Sequence, residues 1–238
     1  MLKVIRFCSI LFSLLAISAI PTYAAQISII DSPTTQIIEY GSFNVDFKVF
    51  REGGLTPKLE FGVFSFLNLG VAWEVQKLIG DSQADLAMPT LQVKVQIYSG
   101  DMSLPGIAIG YDGQGYIHME NEPDKYYQEP RGVYILIGRE VFTEGLIMNV
   151  GVNSNTLKDG EIYGFINMSL PVGSENFLFL AEYDNINYMP DSRLNLGVRI
   201  VLSPDVRVDL IVRDCWGANE EGLFPNDRML KLSYTGQF

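Results

Sequence analysis

One histidine, His118, stands in the stretch YIHMENE. Histidine is the side chain that changes charge near neutral pH and a common general base or metal ligand. Its neighbours therefore decide what it can do. Glu120 lies two residues on, and no serine is near. A hydroxyl nucleophile needs an adjacent base, so a Ser–His hydrolase is not supported, and His118 reads as a solvated loop residue at a strand end. One histidine among scattered acids is also a poor metal site. Cys215 is the single cysteine after the first 24 residues, which rules out an intrachain disulfide there and a thiolate metal cluster. Gly110, Gly113 and Gly115 lack the helix and lysine of a phosphate-binding loop. Catalysis, a cofactor and a metal are not expected.

The charge balance narrows the partners. The chain has 238 residues and a net charge of −11. Nucleic acid, whose phosphates demand cations, is a poor partner for it. Residues 1–24 carry Lys3 and Arg6, then an apolar run, then Thr22-Tyr23-Ala24. This is the pattern of a secretory signal peptide cut after Ala24. Beyond residue 24 no run approaches the ~20 apolar residues a spanning helix needs. Spanning strands remain possible, because their apolar residues stand at every second position.

Period-two alternation dominates the rest. SFNVDFKVF sets Phe43, Val45, Phe47 and Val49 against Asn44, Asp46 and Lys48. TLQVKVQIY sets Leu91, Val93, Val95 and Ile97 against Gln92, Lys94 and Gln96. Such alternation marks a strand with one apolar and one polar face. KLEFGVF, LNLGVAWEVQ, GIAIGYDGQGYI, RGVYILIGREVF, LIMNVGVNS, EIYGFINMSL, NFLFLAEYDNI, LNLGVRIVL, VRVDLIVRD and RMLKLSYTGQF complete about twelve strands, with ten to fourteen allowed. Short connections such as SFLN, PVGSE and SPD alternate with longer ones, as in a meander whose two ends face different compartments. The predicted fold is all-β: an antiparallel up-and-down transmembrane β-barrel over residues 38–238, after a lead-in over 25–37.

Three features favour apolar residues facing outward. Gly62, Gly70, Gly110, Gly151 and Gly197 fall on the polar face, where small residues suit a crowded lumen. Phe50, Trp73, Tyr98, Tyr134, Tyr163, Tyr183 and Tyr234 stand near strand ends, as in an aromatic girdle. The strand count is even, and the last strand runs to Phe238, so a barrel closes by pairing last strand with first. The inward residues would include Asp46, Lys48, Glu60, Glu74, Lys94, Asp112, Glu182, Arg199, Arg207, Asp209, Arg213 and Lys231. Their mixed signs allow two readings. One is a salt-bridged network that braces a narrow barrel; the other is a polar channel whose charged wall selects small polar solutes.

The closing stretch LKLSYTGQF resembles the final strand of Gram-negative outer-membrane barrels. Leu230, Leu232, Tyr234 and Phe238 fit that pattern, and Gly236 is a gap in it. The resemblance implies an outer-membrane location, contact with its lipid, and recognition of this strand by the barrel-insertion machinery. SPTTQIIEYGSFNVDFKVF (32–50) followed by FGVFSFLNLGVAW (61–73) resembles the YjbH-like group, as do AIGYDGQG and AEYDN. That resemblance implies an accessory role in exopolysaccharide export. The acidic residues Glu120, Glu122, Asp124 and Glu129, and Glu220, Glu221 and Asp227, read as solvated loops or as cation bridges to lipopolysaccharide. Two rivals stand beside the passive or structural barrel. One is a soluble periplasmic barrel or sandwich around a small apolar ligand. The other is a lipid-modifying barrel enzyme using His118.

Overall fold

The computed structural model describes residues 25–79, 81, 83–101, 103–119, 122–141, 145–155, 161–188, 192–215 and 226–238. The leader expected over 1–24 lies outside the described residues, as do Glu120, Glu220 and Glu221. The strands are β1 (Ser42–Phe50), β2 (Gly54–Phe64), β3 (Leu67–Ala72), β4 (Val75–Gln76), β5 (Asp85–Leu86), β6 (Thr90–Tyr98), β7 (Gly106–Asp112), β8 (Tyr116–Met119), β9 (Glu122–Gln128), β10 (Gly132–Glu140), β11 (Ile147–Ser154), β12 (Tyr163–Val172), β13 (Ser174–Asp184), β14 (Arg193–Val201), β15 (Val206–Arg213) and β16 (Asp227–Gln237).

Among the described residues, twelve of these strands form one closed antiparallel wall: β1–β3, β6, β7 and β10–β16. Closure is the β1–β16 pairing, whose register runs from Ser42↔Gln237 to Val49↔Leu230. Every wall strand therefore has two neighbours, and the described wall leaves no open edge of unpaired amides. Phe238 is held beyond the last rung: its N–H donates to the Gly41 carbonyl at 3.0 Å. Its ring meets Phe43 and Phe61, with centroids at 6.4 and 6.3 Å. Gly236 leaves room there, since a Cβ at that position would run into the Phe43 ring.

Two expected strands are shorter than their alternation suggests. LNLGVAWEVQ leaves the wall after Ala72, and Val75–Gln76 separates as β4, which pairs with β5 and, at Val75, with Leu55 of β2. GIAIGYDGQGYI stops at Asp112, whose carboxylate accepts the Gln114 N–H at 3.0 Å. That local bond turns the chain, as Asp commonly does before glycine. Tyr116 and Ile117 then enter β8, which pairs with β9 as a separate hairpin.

The faces are inverted relative to a water-soluble protein. In β10 and β16, buried and exposed positions alternate along the strand. The exposed outer set includes Ile135, Ile137, Val150, Val152, Leu210, Leu230, Leu232 and Tyr234. The buried inner set includes Asn149, Asn167, Arg199, Asp209 and Lys231. A belt of apolar side chains around the outside, with charge inside, suits hydrocarbon on the outside and not water. A barrel or sandwich with an apolar core, the soluble rival, is not what the chain builds.

Short turns gather at one end: 65–66, 173 and 202–205. The connectors that leave the wall at Ala72, Asp112 and Arg213 start from the other. The connection after β1 is tighter than the sequence suggests, a single 3-10 turn at Arg51–Gly53, with Gly53 at φ +69°. Two girdle assignments are also corrected. Phe50 and Tyr134 are buried inside the barrel, because each stands on the inward register of its strand.

A closed wall of this kind resists detergent. Unboiled protein in SDS is expected to migrate differently from boiled protein; a single position under both conditions would contradict the closure seen between β1 and β16.

Candidate functional site

The lumen is occupied by the chain's own residues 25–41. The segment folds back on itself in a tight turn, bridged between Ser28 and Pro33. Within it the Ile29 N–H donates to the Ser32 carbonyl at 3.0 Å, and the Thr34 N–H to the Ile27 carbonyl at 3.2 Å. The Asp-Ser-Pro sequence at the bend is turn chemistry: Asp tolerates tight local geometry, and proline blocks strand extension. Ile29, Ile30, Ser32, Thr34 and Thr35 are buried. Ile29 and Ile30 join a core cluster with Phe50, Leu178, Leu180, Val201, Ile211 and Met229. This plug therefore has an apolar anchor inside a mainly polar lumen.

Main-chain groups of the plug need partners, and the inward side chains supply them. Glu182 accepts the N–H groups of Asp31 at 3.0 Å and Ser32 at 2.7 Å. Arg199 donates to the Ile29 carbonyl at 2.9 Å, and Lys231 to the same oxygen at 3.2 Å. Lys94 donates to the carbonyls of Ile27 at 2.5 Å and Gln36 at 3.2 Å. Asn167 donates to Pro33 at 2.9 Å, Gln96 to Thr35 at 2.7 Å, and Arg207 to Ala25 at 3.1 Å. Asn149 accepts the Thr35 N–H at 3.2 Å. A buried main-chain group without a partner costs about 1–3 kcal/mol, so these side chains are what allow irregular backbone to sit there.

Ion pairs tie the plug and the wall into one network. Asp31, at the bend, lies 2.6 Å from Lys48 and 2.8 Å from Arg213. Burial alone would raise its carboxyl pKa; the Arg213 and Lys48 charges override that and hold it well below the usual carboxylate range. Arg199 grips Asp209 with two bonds of 2.8 Å, and Lys231 reaches the same carboxylate at 3.2 Å. Register places these three opposite one another, Arg199↔Asp209 and Asp209↔Lys231. Farther round the wall, on β2, Lys58 pairs with Glu60 at 3.1 Å. Asp46 accepts from Asn44 at 2.9 Å, and Asp112 faces Gln92 at 3.5 Å.

Glycines make the lumen roomy enough. A Cβ at Gly62 would collide with the carbonyl of Glu39 in the plug. Cβ atoms at Gly110 and Gly151 would collide with the rings of Tyr134 and Phe165, which lie over them from the paired positions of the adjacent strands.

A second element fills the long-connector end. In the β8–β9 hairpin Tyr116, Ile117, His118 and Tyr126 are buried. Glu74 is fully buried and accepts the N–H groups of Ile117 and His118, each at 2.9 Å. Glu74 thus points inward from a connector and binds the hairpin, where the sequence placed it on a wall strand. His118 corrects the solvated reading. It is 2% exposed, with Nδ1 3.0 Å from Glu74 and Nε2 3.1 Å from Asp85. It faces the interior, away from lipid. Asp227 is likewise buried at the start of β16, where it accepts the Tyr116 hydroxyl, because its register points inward. Arg213 stacks on the Tyr116 ring at 3.9 Å and donates to Gln128 at 2.7 Å, joining hairpin to wall. Burial pushes the Tyr126 hydroxyl up to about 12, so it stays neutral.

Asp46, Lys48, Lys94, Glu182, Arg199, Arg207, Asp209, Arg213 and Lys231 thus surround the plug or brace its neighbours. Sequence reasoning missed Asp31 and Ser32, which lie in a lead-in without periodicity. It also missed Arg131, in the connector before β10, which pairs with Asp184 at 2.8 Å and lies over the Phe165 ring at 4.4 Å. Among the described residues no group of three or more His, Cys, Asp and Glu is arranged to hold a metal ion.

No family model matches the chain, and no curated protein matches it. Among solved structures it is similar to a triple mutant of the Rh. blastica porin at 13% identity and a TM-score of 0.37, over 78% of this chain and 55% of that one. The chain thus spans about half the length of that porin. It is also similar to the Acinetobacter baumannii outer membrane protein Omp33 at 12% identity and a TM-score of 0.39, over 85% of this chain and all of that one.

Removing one partner from a buried ion pair leaves the other charge stranded, at about 3–5 kcal/mol. Asp209→Asn, which strands Arg199 and Lys231, should lower unfolding stability in detergent by that order. A loss within error of zero would show that the network is solvated.

Proposed function

We propose that this chain is an outer-membrane β-barrel with a structural or passive-channel role, closed at rest by residues 25–41. One observation carries the reading: inward charges from several wall strands are engaged with the plug's main chain and with Asp31, not with open water. Passage of a solute then requires the plug to move. The outward apolar belt supports insertion in lipid.

In the same proposal residues 1–24 direct export and are removed after Ala24. The insertion machinery reads Leu230, Leu232, Tyr234 and Phe238, whose side chains stand exposed on the outer face or at its end. Phe238→Ala should then reduce the heat-resistant barrel recovered from outer membranes; unchanged recovery would remove that role. An accessory part in polysaccharide export is supported only by the resemblance of 32–50 and 61–73 to the YjbH-like group. The lipid-modifying enzyme loses its basis, since His118 lies inside and hydrogen-bonds within the hairpin joint.

Conductance in planar bilayers tests closure. The wild type should carry little steady current. Gly62→Leu, which drives a side chain into the plug backbone, should raise the open fraction severalfold. A large steady conductance in the wild type would overturn the reading.

A further inference from the structure

Asp31 occupies a site that the wall and hairpin build without it. Lys48 comes from β1 and Arg213 from the last position of β15. The Arg213 guanidinium is fixed by the Tyr116 ring at 3.9 Å and by Gln128 at 2.7 Å, neither of which belongs to the plug. The two cations flank one carboxylate, at 2.6 Å and 2.8 Å to its separate oxygens. Other acids of this region are engaged elsewhere: Asp209 with Arg199 and Lys231, Asp184 with Arg131, Glu182 with main-chain N–H groups, and Asp227, opposite Arg213 in the β15–β16 register, with the Tyr116 hydroxyl. Without the Asp31 carboxylate, Lys48 and Arg213 would lose the one carboxylate that the described ion pairs give them, Asp227 being taken up by the Tyr116 hydroxyl, and leaving such cations unpaired at lumen depth is costly. The site therefore demands an anion of carboxylate shape. It is also reachable, because the Asp31 and Lys48 side chains keep 20% and 19% of their surface open, whereas Arg213 keeps 4%. It lies towards the end of the barrel from which the longer connectors start.

We propose that Lys48 and Arg213 form a binding site for a carboxylate-bearing solute, which Asp31 occupies as a tethered stand-in. This rests on the reading that residues 25–41 close the lumen. A solute carboxylate that takes the place of Asp31 removes the plug's only side-chain ion pairs among those described, and the bend loses its hold on β1 and β15. An acidic sugar and a simple organic acid share the needed group.

Chemical rescue tests the site directly. Full-length Asp31→Ala, refolded in detergent, is melted in sodium acetate, sodium glucuronate and sodium chloride at equal ionic strength. Acetate or glucuronate should return about 2–4 °C of the lost Tm, as a ligand bound only to the folded state does. Chloride should not, and Arg213→Met added to the same chain should abolish the recovery. Stronger rescue by glucuronate identifies a sugar acid; equal rescue identifies any small carboxylate. If Asp31→Ala does not fold, Asp31→Asn keeps the shape and gives the same comparison. Rescue no greater than with chloride, or rescue that survives Arg213→Met, overturns the proposal. Wild-type conductance with glucuronate added separates the two readings. Rescue without any current leaves the site standing and refutes the gate; current without rescue does the reverse.

Discussion

Irregular backbone inside a barrel must find a hydrogen-bond partner for each N–H and C=O that water no longer reaches. The rest of this structure depends on that constraint. Residues 25–41 satisfy part of their backbone among themselves, and other amides and carbonyls rely on Glu182, Lys94, Asn167, Arg199 and Lys231. The polar inner face is therefore neither an empty aqueous lining nor a brace alone. It solvates a segment of the same chain. Wall and plug are matched across sequence separations such as the 150 residues between Ser32 and Glu182.

Charge balance follows from the same crowding. Arg199, Asp209 and Lys231 share a row across three adjacent strands, and the carboxylate between two cations keeps them neutral enough to be buried. Arg199 and Lys231 still have donors left for the Ile29 carbonyl. Bracing and plug binding are thus the work of the same side chains. At the bend the plug returns a charge of its own: Asp31 pairs with both Lys48 and Arg213, while Asp227, opposite Arg213 in the wall, takes the Tyr116 hydroxyl.

The long-connector end is closed by a different device. The β8–β9 hairpin has its own pairing, yet it is positioned through Glu74, which binds two of its N–H groups, and through Tyr116 against Arg213 and Asp227. Because Arg213 also holds Asp31, the hairpin and the plug meet at one guanidinium. Movement of either element changes what the other sees.

The wall was legible in the order of residues alone. Period-two alternation marked about twelve strands, each with one apolar and one polar face, because a strand's side chains must point to opposite sides; which face turns outward rested on the glycines, the strand-end aromatics and the even count. The even count implied closure of last on first, which the β1–β16 pairing supplies. Glycines at 62, 110 and 151 marked a crowded interior, though not what crowds it. The placement of 25–41 and of the β8–β9 hairpin emerged only with the folded barrel. These stretches lack sustained periodicity, and their partners are side chains distant in sequence, so nothing local states where they go. His118 illustrates the reason. Its neighbours Met119 and Ile117 resemble any strand end, while Glu74 and Asp85, which bury it, come from a separate connector. Phe50 and Tyr134 are different: alternation within their own strands puts Phe50 on the face of Asp46 and Lys48, and Tyr134 between outward Val133 and Ile135, so the girdle reading failed against a periodicity already in the sequence.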